Sequence, residues 1–337
     1  MSRVTVLIPT YNVEKYIAKC LNSIQSQTFH DFDCLVVIDG SKDHSADIAK
    51  EFSSQDCRFK VYEKENGGYG SVLEYAIKNI KTEYLIICDP DDYLENDALE
   101  ELIKLADTNT ADITIGTRKI FYEGSEEFIY DPIHDPKIVS LHNGLYEVND
   151  KNFNDVLMVN CSPHSKLYRT SLLEKLAYPK KVSYTDNILF YTTANKAKRI
   201  VFTEEPYSNY LQNRPGNSVT QLKSKYIYEH VVVYKFILNY LEKCTNINEF
   251  IYYRIFDSFK ILFYNLRYVE GDEITKQQLK AELFSLLKML MVRKSAIIKY
   301  QKDYSSEGPR AQFKNKLLLN KNISKMVFDT WLKKLED

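Results

Sequence analysis

Three carboxylates stand within four positions near the middle of the chain, at Asp89, Asp91 and Asp92, with Pro90 after the first. Like charges this close together repel one another unless a cation lies between them. Mg²⁺ and Mn²⁺ prefer such hard oxygen ligands and commonly join carboxylates to phosphate groups. The cluster therefore predicts a Mn²⁺ or Mg²⁺ site that holds a diphosphate. In the alternative interpretation, one of the carboxylates merely caps a helix that begins near Glu95.

The residues just before this acidic cluster must position it. Residues 84–88 are all apolar or aromatic, which predicts a strand that is buried on both faces. Pro90 should end the strand because proline has no N–H to donate. Open α/β sheets bind their ligands outside the carboxyl ends of the strands. We therefore expect the three carboxylates at a ligand-binding edge of a sheet.

Short apolar strands and amphipathic helices alternate over roughly the first 117 residues. The predicted strands are residues 4–8, 32–38, 59–62, 84–88 and 113–116. The predicted helices are residues 14–27, 45–52, 71–80 and 94–106. Pro9 is expected to end the first strand. This alternation predicts an α/β fold with a doubly wound, mostly parallel sheet.

The pattern changes beyond residue 117. The pattern of residues 118–149 predicts loops, short strands and a β-hairpin near the acidic cluster. Helices are expected at residues 153–159, 171–176 and 188–197, and strands at residues 200–202 and 207–211. From about residue 223 the chain is rich in helical periodicity. We therefore predict a domain of residues 1–220, divided near residue 117, and a helical C-terminal domain of residues 221–337.

Composition excludes several classes of protein. A net charge of −1 over 337 residues leaves no overall basic footprint for nucleic acid. The six cysteines form no C-x-x-C pair, which argues against a zinc site or a disulfide framework. Neither a signal peptide nor a membrane span is evident in the sequence. We therefore expect a cytoplasmic protein.

The C-terminal end is locally basic, with 11 Lys or Arg against 5 Asp or Glu from Arg293 onward. Three interpretations stay open. The basic end could contact anionic lipids at the inner face of a membrane, it could form a solvated helix face, or the helices could form a homodimer interface.

Four short motifs follow one another at the ends of the predicted strands or before a helix. They are Pro9-Thr10-Tyr11-Asn12, Asp39-Gly40-Ser41-Lys42-Asp43, Asn66-Gly67-Gly68 and Asp89-x-Asp91-Asp92. In this order they resemble the family 2 glycosyltransferases, which are inverting enzymes with the GT-A fold that use nucleotide-sugar donors. The resemblance is strong over the first hundred residues, weaker over residues 150–220, and carried by no motif in the C-terminal helices.

The resemblance implies that the first half of the catalytic domain, residues 1–117, binds the donor and that residues 118–220 bind the acceptor. Donor-binding positions would be Pro9, Thr10, Tyr11, Asp39, Asn66, Gly68 and Asp89. Tyr11 would lie near the base, and Asp39 would accept the uracil N3–H of a UDP-sugar. Asp91 of the DXD motif would hold Mn²⁺ or Mg²⁺. Asp92 and His164 would orient a ligand or contact the acceptor.

Two further positions follow from the same resemblance. The family usually takes its catalytic base from a Glu-Asp pair that opens a helix, and Thr185-Asp186 occupies that place here. Asp186 would then accept the proton of the acceptor hydroxyl, although it could also serve only as a helix N-cap. Arg214, in the segment after a tyrosine-bearing strand, could clamp the donor diphosphate or lie unused on the surface.

The function implied is metal-assisted transfer of a sugar from a nucleotide-sugar, with UDP-sugar expected, to a hydroxyl of a glycan, glycoconjugate or lipid-linked acceptor, as in polysaccharide biosynthesis. Two alternatives remain. A non-catalytic nucleotide-sugar-binding homologue should have lost acidic residues that this chain retains. A sugar-nucleotide nucleotidyltransferase should carry a basic glycine-rich loop after the first strand, where this chain has Pro9-Thr10-Tyr11-Asn12.

Overall fold

A computed structural model describes residues 2–125, 127–213, 224–269 and 273–336. The chain divides into two compact units. The first holds the described residues up to 213 except residues 137–139, and the second holds those from 224 onward together with residues 137–139. The position of the domain boundary within residues 214–223 lies outside the described residues.

The first unit is built on one mixed sheet, which has ten strands in the described part of the chain. They are β1 (Val4–Thr10), β2 (Phe32–Asp39), β3 (Phe59–Lys64), β4 (Tyr84–Ile87), β5 (Tyr93–Leu94), β6 (Ile113–Tyr122), β7 (Ile129–Asp131), β8 (Gly144–Glu147), β9 (Lys166–Arg169) and β10 (Arg199–Gln212). The order is β3-β2-β1-β4-β9-β6-β10-β5, with β7 on β6 and β8 on β10. The three longest ladders are parallel. The α/β sheet with mostly parallel strands is therefore confirmed.

Five helices of the first unit are α1 (Ile17–Gln25), α2 (Ser45–Gln55), α3 (Tyr69–Asn79), α4 (Ala98–Asn109) and α5 (Asp186–Ala194). The apolar faces of α1 and α4 pack with β1, β2 and β4 in one hydrophobic core. All described residues of β1 and β4 are buried, as the sequence predicted for a strand covered on both faces. A well-packed central sheet therefore supports the loops that follow its strands.

The second unit is helical in its described part. Its helices are α6 (Ser224–Leu241), α7 (Phe250–Asn265), α8 (Glu273–Leu290), α9 (Lys294–Tyr304), α10 (Pro309–Leu318) and α11 (Ser324–Glu336). The predicted C-terminal helices are confirmed. Across the described residues of both units, every helix is too short or too polar to cross a lipid bilayer.

One boundary prediction was wrong at Pro9. Strand β1 continues through Pro9 to Thr10, because the ladder to β2 runs on to Thr10 opposite Ile38. The ladder from β1 to β4 stops at Leu7, so Pro9 has a strand partner on one side only. A residue with a strand neighbour on one side can lack an N–H donor at little cost.

The second half of the first unit also differs from the prediction in places. The helices expected at 153–159 and 171–176 are single 3₁₀ turns, at Val156–Met158 and Thr170–Leu172. Apolar spacing over so few residues does not distinguish a turn from a helix. The two strands expected at 200–202 and 207–211 are one strand, β10, with register shifts around Pro206. The expected hairpin is present, because β6 pairs with β7 in antiparallel fashion.

Candidate active site

The carboxyl ends of β2, β1 and β4 lie side by side, because these three strands are neighbours in the sheet. Pro9 and Thr10 at the end of β1 are buried, and the Thr10 hydroxyl donates to the carbonyl of Ile8 at 3.2 Å. Tyr11, the next residue, keeps 49% of its surface exposed. Of the three predicted donor residues here, Tyr11 is the one whose side chain a ligand can reach.

Asp39, at the end of β2, is buried and holds the glycine-rich loop. Its Oδ1 accepts the N–H of Gly67 at 2.9 Å, and its Oδ2 accepts the N–H of Gly68 at 2.7 Å. The ammonium of Lys64 also donates to Oδ1, at 2.5 Å. Asn66 begins this loop and is half-buried. The predicted donor residues Asp39, Asn66 and Gly68 are thus brought together, because Asp39 binds the loop that contains the other two.

The three carboxylates after β4 differ in burial, since Asp89 and Asp91 are only partly buried. Asp92 is buried, and its Oδ1 accepts the N–H of Leu211 at 2.8 Å. Its Oδ2 lies 2.7 Å from Nε2 of His164, and Nδ1 of His164 lies 2.9 Å from Nη1 of Arg118. Arginine can only donate, so Nδ1 accepts and the imidazole proton is assigned to Nε2, which donates to Asp92. Asp92 and His164 therefore bind each other.

Burial dominates the electrostatics of this pair. It raises the pKa of Asp92 well above the usual carboxylate range, and the neighbouring charges of Asp91 and Asp89 raise that pKa further. Burial, with the charge of Arg118, lowers the pKa of His164 well below its usual value, which keeps the imidazole neutral. A cation beside these carboxylates would offset their mutual repulsion.

The atoms present fit such a cation. Ligating atoms of Asp89, Asp92 and His164 all lie within 4.8 Å of one another. The predicted ligand Asp91 is not in this group and instead lines a cavity of about 260 Å³ beside it, together with Lys19 and Glu123. Two carboxylates and an imidazole suit Mn²⁺ as well as other divalent ions. Ligation by His164 would break its bond to Asp92 or to Arg118, since both ring nitrogens are engaged.

Tyr69 links the acidic cluster to the predicted base. Its hydroxyl donates to Oδ1 of Asp89 at 3.0 Å. Burial raises the pKa of Tyr69 well above its usual value, and the negative charges of Asp89 and Asp186 raise it further. Both carboxylates therefore act electrostatically on one phenol.

Asp186 is the first residue of α5, and Thr185 occupies the N-cap position without a capping side-chain hydrogen bond. Burial raises the pKa of Asp186 to about 6, while backbone N–H donation at Asn187 and the charge of Lys166 oppose this rise. Lys166 is fully buried and donates to the carbonyl of Ser162 at 2.6 Å. Asp186 is thus a stronger base than an ordinary carboxylate, yet it is ionised at neutral pH.

Sequence reasoning missed Lys64, Tyr69 and Arg118. Lys64 ends β3 directly opposite Asp39, so its role could have been inferred once the register of β2 and β3 was known. Tyr69 lies between the glycines of the glycine-rich loop, and its spacing from Asp89 in the sequence does not indicate that its hydroxyl donates to that carboxylate. Arg118 gave no signal, because one arginine in a strand is usually solvated. The predicted donor residue Arg214 lies outside the described residues.

These features define an α/β protein whose strand-end loops gather carboxylates at one edge of the sheet, and comparison with solved structures identifies the fold. The structure resembles residues 1–349 of Staphylococcus aureus TarS, solved in complex with UDP-GlcNAc, with a TM-score of 0.72. The two share 18% sequence identity over 99% of this chain and 90% of that chain. The fold is therefore of the GT-A type, as predicted.

The family model described as "Glycosyl transferase family 2" matches residues 5–177, and the chain belongs to that family. Glycosyltransferase GlyA of Streptococcus pneumoniae is 36% identical over 185 residues, which are 52% of this chain and 26% of GlyA. The putative glycosyltransferase EpsH of Bacillus subtilis is 28% identical over 269 residues, or 77% of this chain and 74% of EpsH. The match thus spans about a quarter of the first relative and most of the second.

Proposed function

We propose that the protein transfers a sugar from a UDP-sugar to a hydroxyl of a glycan, glycoconjugate or lipid-linked acceptor, with inversion at the anomeric carbon. One observation carries this proposal. The loop whose Tyr69 donates to Asp89 of the acidic cluster packs at Gly70 against Thr185, the residue before Asp186, a carboxylate whose pKa is raised to about 6. A base and a diphosphate-binding cluster on one edge are the two parts that single displacement needs. The UDP-GlcNAc bound to TarS supports a UDP-sugar as donor.

The donor would lie along the ends of β2, β1 and β4. Tyr11 would stack on the base, and Asp39 would accept the uracil N3–H on a lone pair left by its loop contacts. Pro9, Thr10, Asn66, Gly68 and Arg214 would complete the nucleotide pocket. Asp91 would hold Mn²⁺ or Mg²⁺, which neutralises the departing diphosphate when bound, and Asp89 would face the ribose or diphosphate. His164 would orient Asp92 beside these ligands.

Asp186 would carry out the proton transfer. As the acceptor oxygen bonds to the anomeric carbon, the bond from that carbon to the donor phosphate oxygen breaks, and Asp186 takes the hydroxyl proton. Lys166 favours the ionised form of Asp186, since its positive charge lowers the pKa of that carboxyl. Burial lowers the pKa of Lys166 itself to about 7, with a further contribution from Arg118.

The proposal is tested by incubating the full-length protein with UDP-sugars and a panel of glycan acceptors, and by determining the new linkage by NMR spectroscopy. Transfer from an α-linked UDP-sugar should give a β-linked product and one UDP per linkage. An α-linked product would rule out single displacement. Binding of UDP-sugars without transfer to any acceptor, and without slow hydrolysis, would favour the non-catalytic homologue.

The pH dependence of transfer follows from the raised pKa of Asp186. A base acts only in its deprotonated form, so kcat should fall about tenfold per pH unit below a midpoint near pH 6. An ordinary carboxylate would keep the rate level down to about pH 4. The measurement is kcat from pH 4.5 to 8 at saturating donor. A rate that stays level to pH 5 would remove Asp186 from this role.

A further inference from the structure

Three backbone segments stack without intervening side chains at the edge of the sheet. They are the turn at Gly40, the glycine-rich loop of residues 66–70, and residues 178–185 before α5. A Cβ at Gly40 would lie 2.8 Å from the backbone N of Asn66, and one at Gly68 would lie 2.9 Å from the backbone of Lys181. Real Cβ atoms essentially never approach other atoms so closely. The segments are therefore in direct backbone contact, which only glycine allows.

Hydrogen bonds connect the same three segments. Asp39 accepts the N–H groups of Gly67 and Gly68, and the carbonyl of Gly67 accepts the N–H of Lys181 at 2.7 Å. Glycine-rich loops that cradle phosphates turn their N–H groups toward the ligand. The N–H groups of Gly67 and Gly68 are instead bound to a carboxylate of the protein. The loop thus connects the end of β2 to the segment before α5.

The contact reaches the residue before the predicted base. A Cβ at Gly70 would lie 3.0 Å from Cβ of Tyr178 and 3.1 Å from Cγ2 and Oγ1 of Thr185. Tyr178 and Thr185 are buried. Between them, Lys181 and Tyr184 have φ of 55° and 62°, which side-chain-bearing residues rarely adopt. Such backbone persists only where surrounding contacts hold it.

We propose that the glycine-rich loop is a positioning element for the transfer step, in which Gly70, through Thr185, fixes Asp186 relative to the donor pocket. This inference rests on the proposed function, since it takes Asp186 as the base. Gly70 and Thr185 are buried, and in this proposal they act only through the start of α5. The loop also joins Asp39, at the nucleotide end of the site, to the base.

The test is Gly70→Ala, which adds one methyl group against Tyr178 and Thr185. Gly70 lies in the first turn of α3, where alanine is intrinsically preferred to glycine, so the melting temperature should change little. Displacement of a reacting group by a fraction of an ångström should lower kcat about 10- to 100-fold. The Kd for UDP should change less than threefold. Gly308→Ala is the matched control, because nothing lies within 4 Å of that Cβ.

Rescue separates positioning from a general packing defect. Thr185→Ala removes both Thr185 atoms that crowd the new methyl group. The kcat of the double variant Gly70→Ala/Thr185→Ala should therefore be at least threefold higher than the value obtained by multiplying the two single-variant effects on kcat. Unchanged kcat in Gly70→Ala, or strictly additive effects, would overturn the proposal. If Gly70→Ala does not fold, Thr185→Ala alone decides, with lower kcat at unchanged UDP affinity expected and unchanged kcat contradicting the idea.

The proposed function can fail separately. Undiminished transfer by Asp186→Asn would reject Asp186 as the base, whatever Gly70→Ala does. Loss of transfer in Asp186→Asn together with wild-type kcat in Gly70→Ala would reject only the positioning role of the loop.

Discussion

Asp186→Asn should lower kcat by about 10²–10⁴-fold while leaving the affinity for UDP within about twofold of wild type. The amide keeps the size of the side chain and can still accept from the first N–H groups of α5, but it cannot take a proton. Because the predicted loss lies in the chemical step, it should appear in single-turnover transfer as well as at steady state. Isothermal titration with UDP measures the affinity separately.

Asp97→Asn is the matched control for this substitution. Asp97 also stands at a helix start, directly before α4, but it is exposed and outside the candidate site. Its substitution should leave kcat unchanged. If Asp186→Asn and Asp97→Asn transferred sugar equally fast, Asp186 would serve α5 only as a helix-start residue, and the base would have to be sought elsewhere.

Asp91→Asn should abolish the part of UDP binding that depends on Mn²⁺, and turnover with it. For a ligand at 100 times its Kd, binding stabilises the folded state by about 2.7 kcal/mol. In a protein of 337 residues that corresponds to a melting-temperature rise of about 4 °C. Wild type should show this rise with UDP and Mn²⁺ together, and Asp91→Asn should lose most of it. Differential scanning fluorimetry over a Mn²⁺ titration measures both.

Glu123→Gln provides the control, because Glu123 lines the same cavity as Asp91 and its substitution removes the same charge. It should retain the Mn²⁺-dependent rise. The structure also offers a competing set of ligands, Asp89, Asp92 and His164. Should Asp91→Asn keep the full Mn²⁺-dependent rise while Asp89→Asn loses it, that second set would hold the metal and the assignment of Asp91 would be wrong.

Much of the fold follows from local patterns in the sequence. The strand at Tyr84–Ile87 was predictable because a short run of apolar residues followed closely by a proline is typical of a buried strand. The order of strands and loops then placed Asp39 and the acidic cluster on one edge, because parallel strands end on the same side. Family resemblance supplied the roles of these residues, which the pattern alone left open.

What could not be predicted depends on contacts between distant parts of the chain. The pairing of Asp92 with His164 joins residues 72 positions apart, and the side chain of Arg118 fixes the histidine tautomer. The glycine-rich motif gave no indication of its contact with Tyr178 and Thr185, since the presence of a glycine does not show which residues pack against it. Strand β10 was divided in the prediction because Pro206 interrupts its pattern, although a register shift absorbs the proline.

The measurement that tests the central claim most directly is the melting temperature of the full-length protein with UDP, GDP, CDP and dTDP, each with and without Mn²⁺. We expect UDP with Mn²⁺ to raise it by about 4 °C. UDP alone and the other nucleotides with Mn²⁺ should raise it much less. An equal or larger rise with GDP, CDP or dTDP would contradict the role of Asp39 at uracil. The absence of any response to all four nucleotides would contradict the donor site itself.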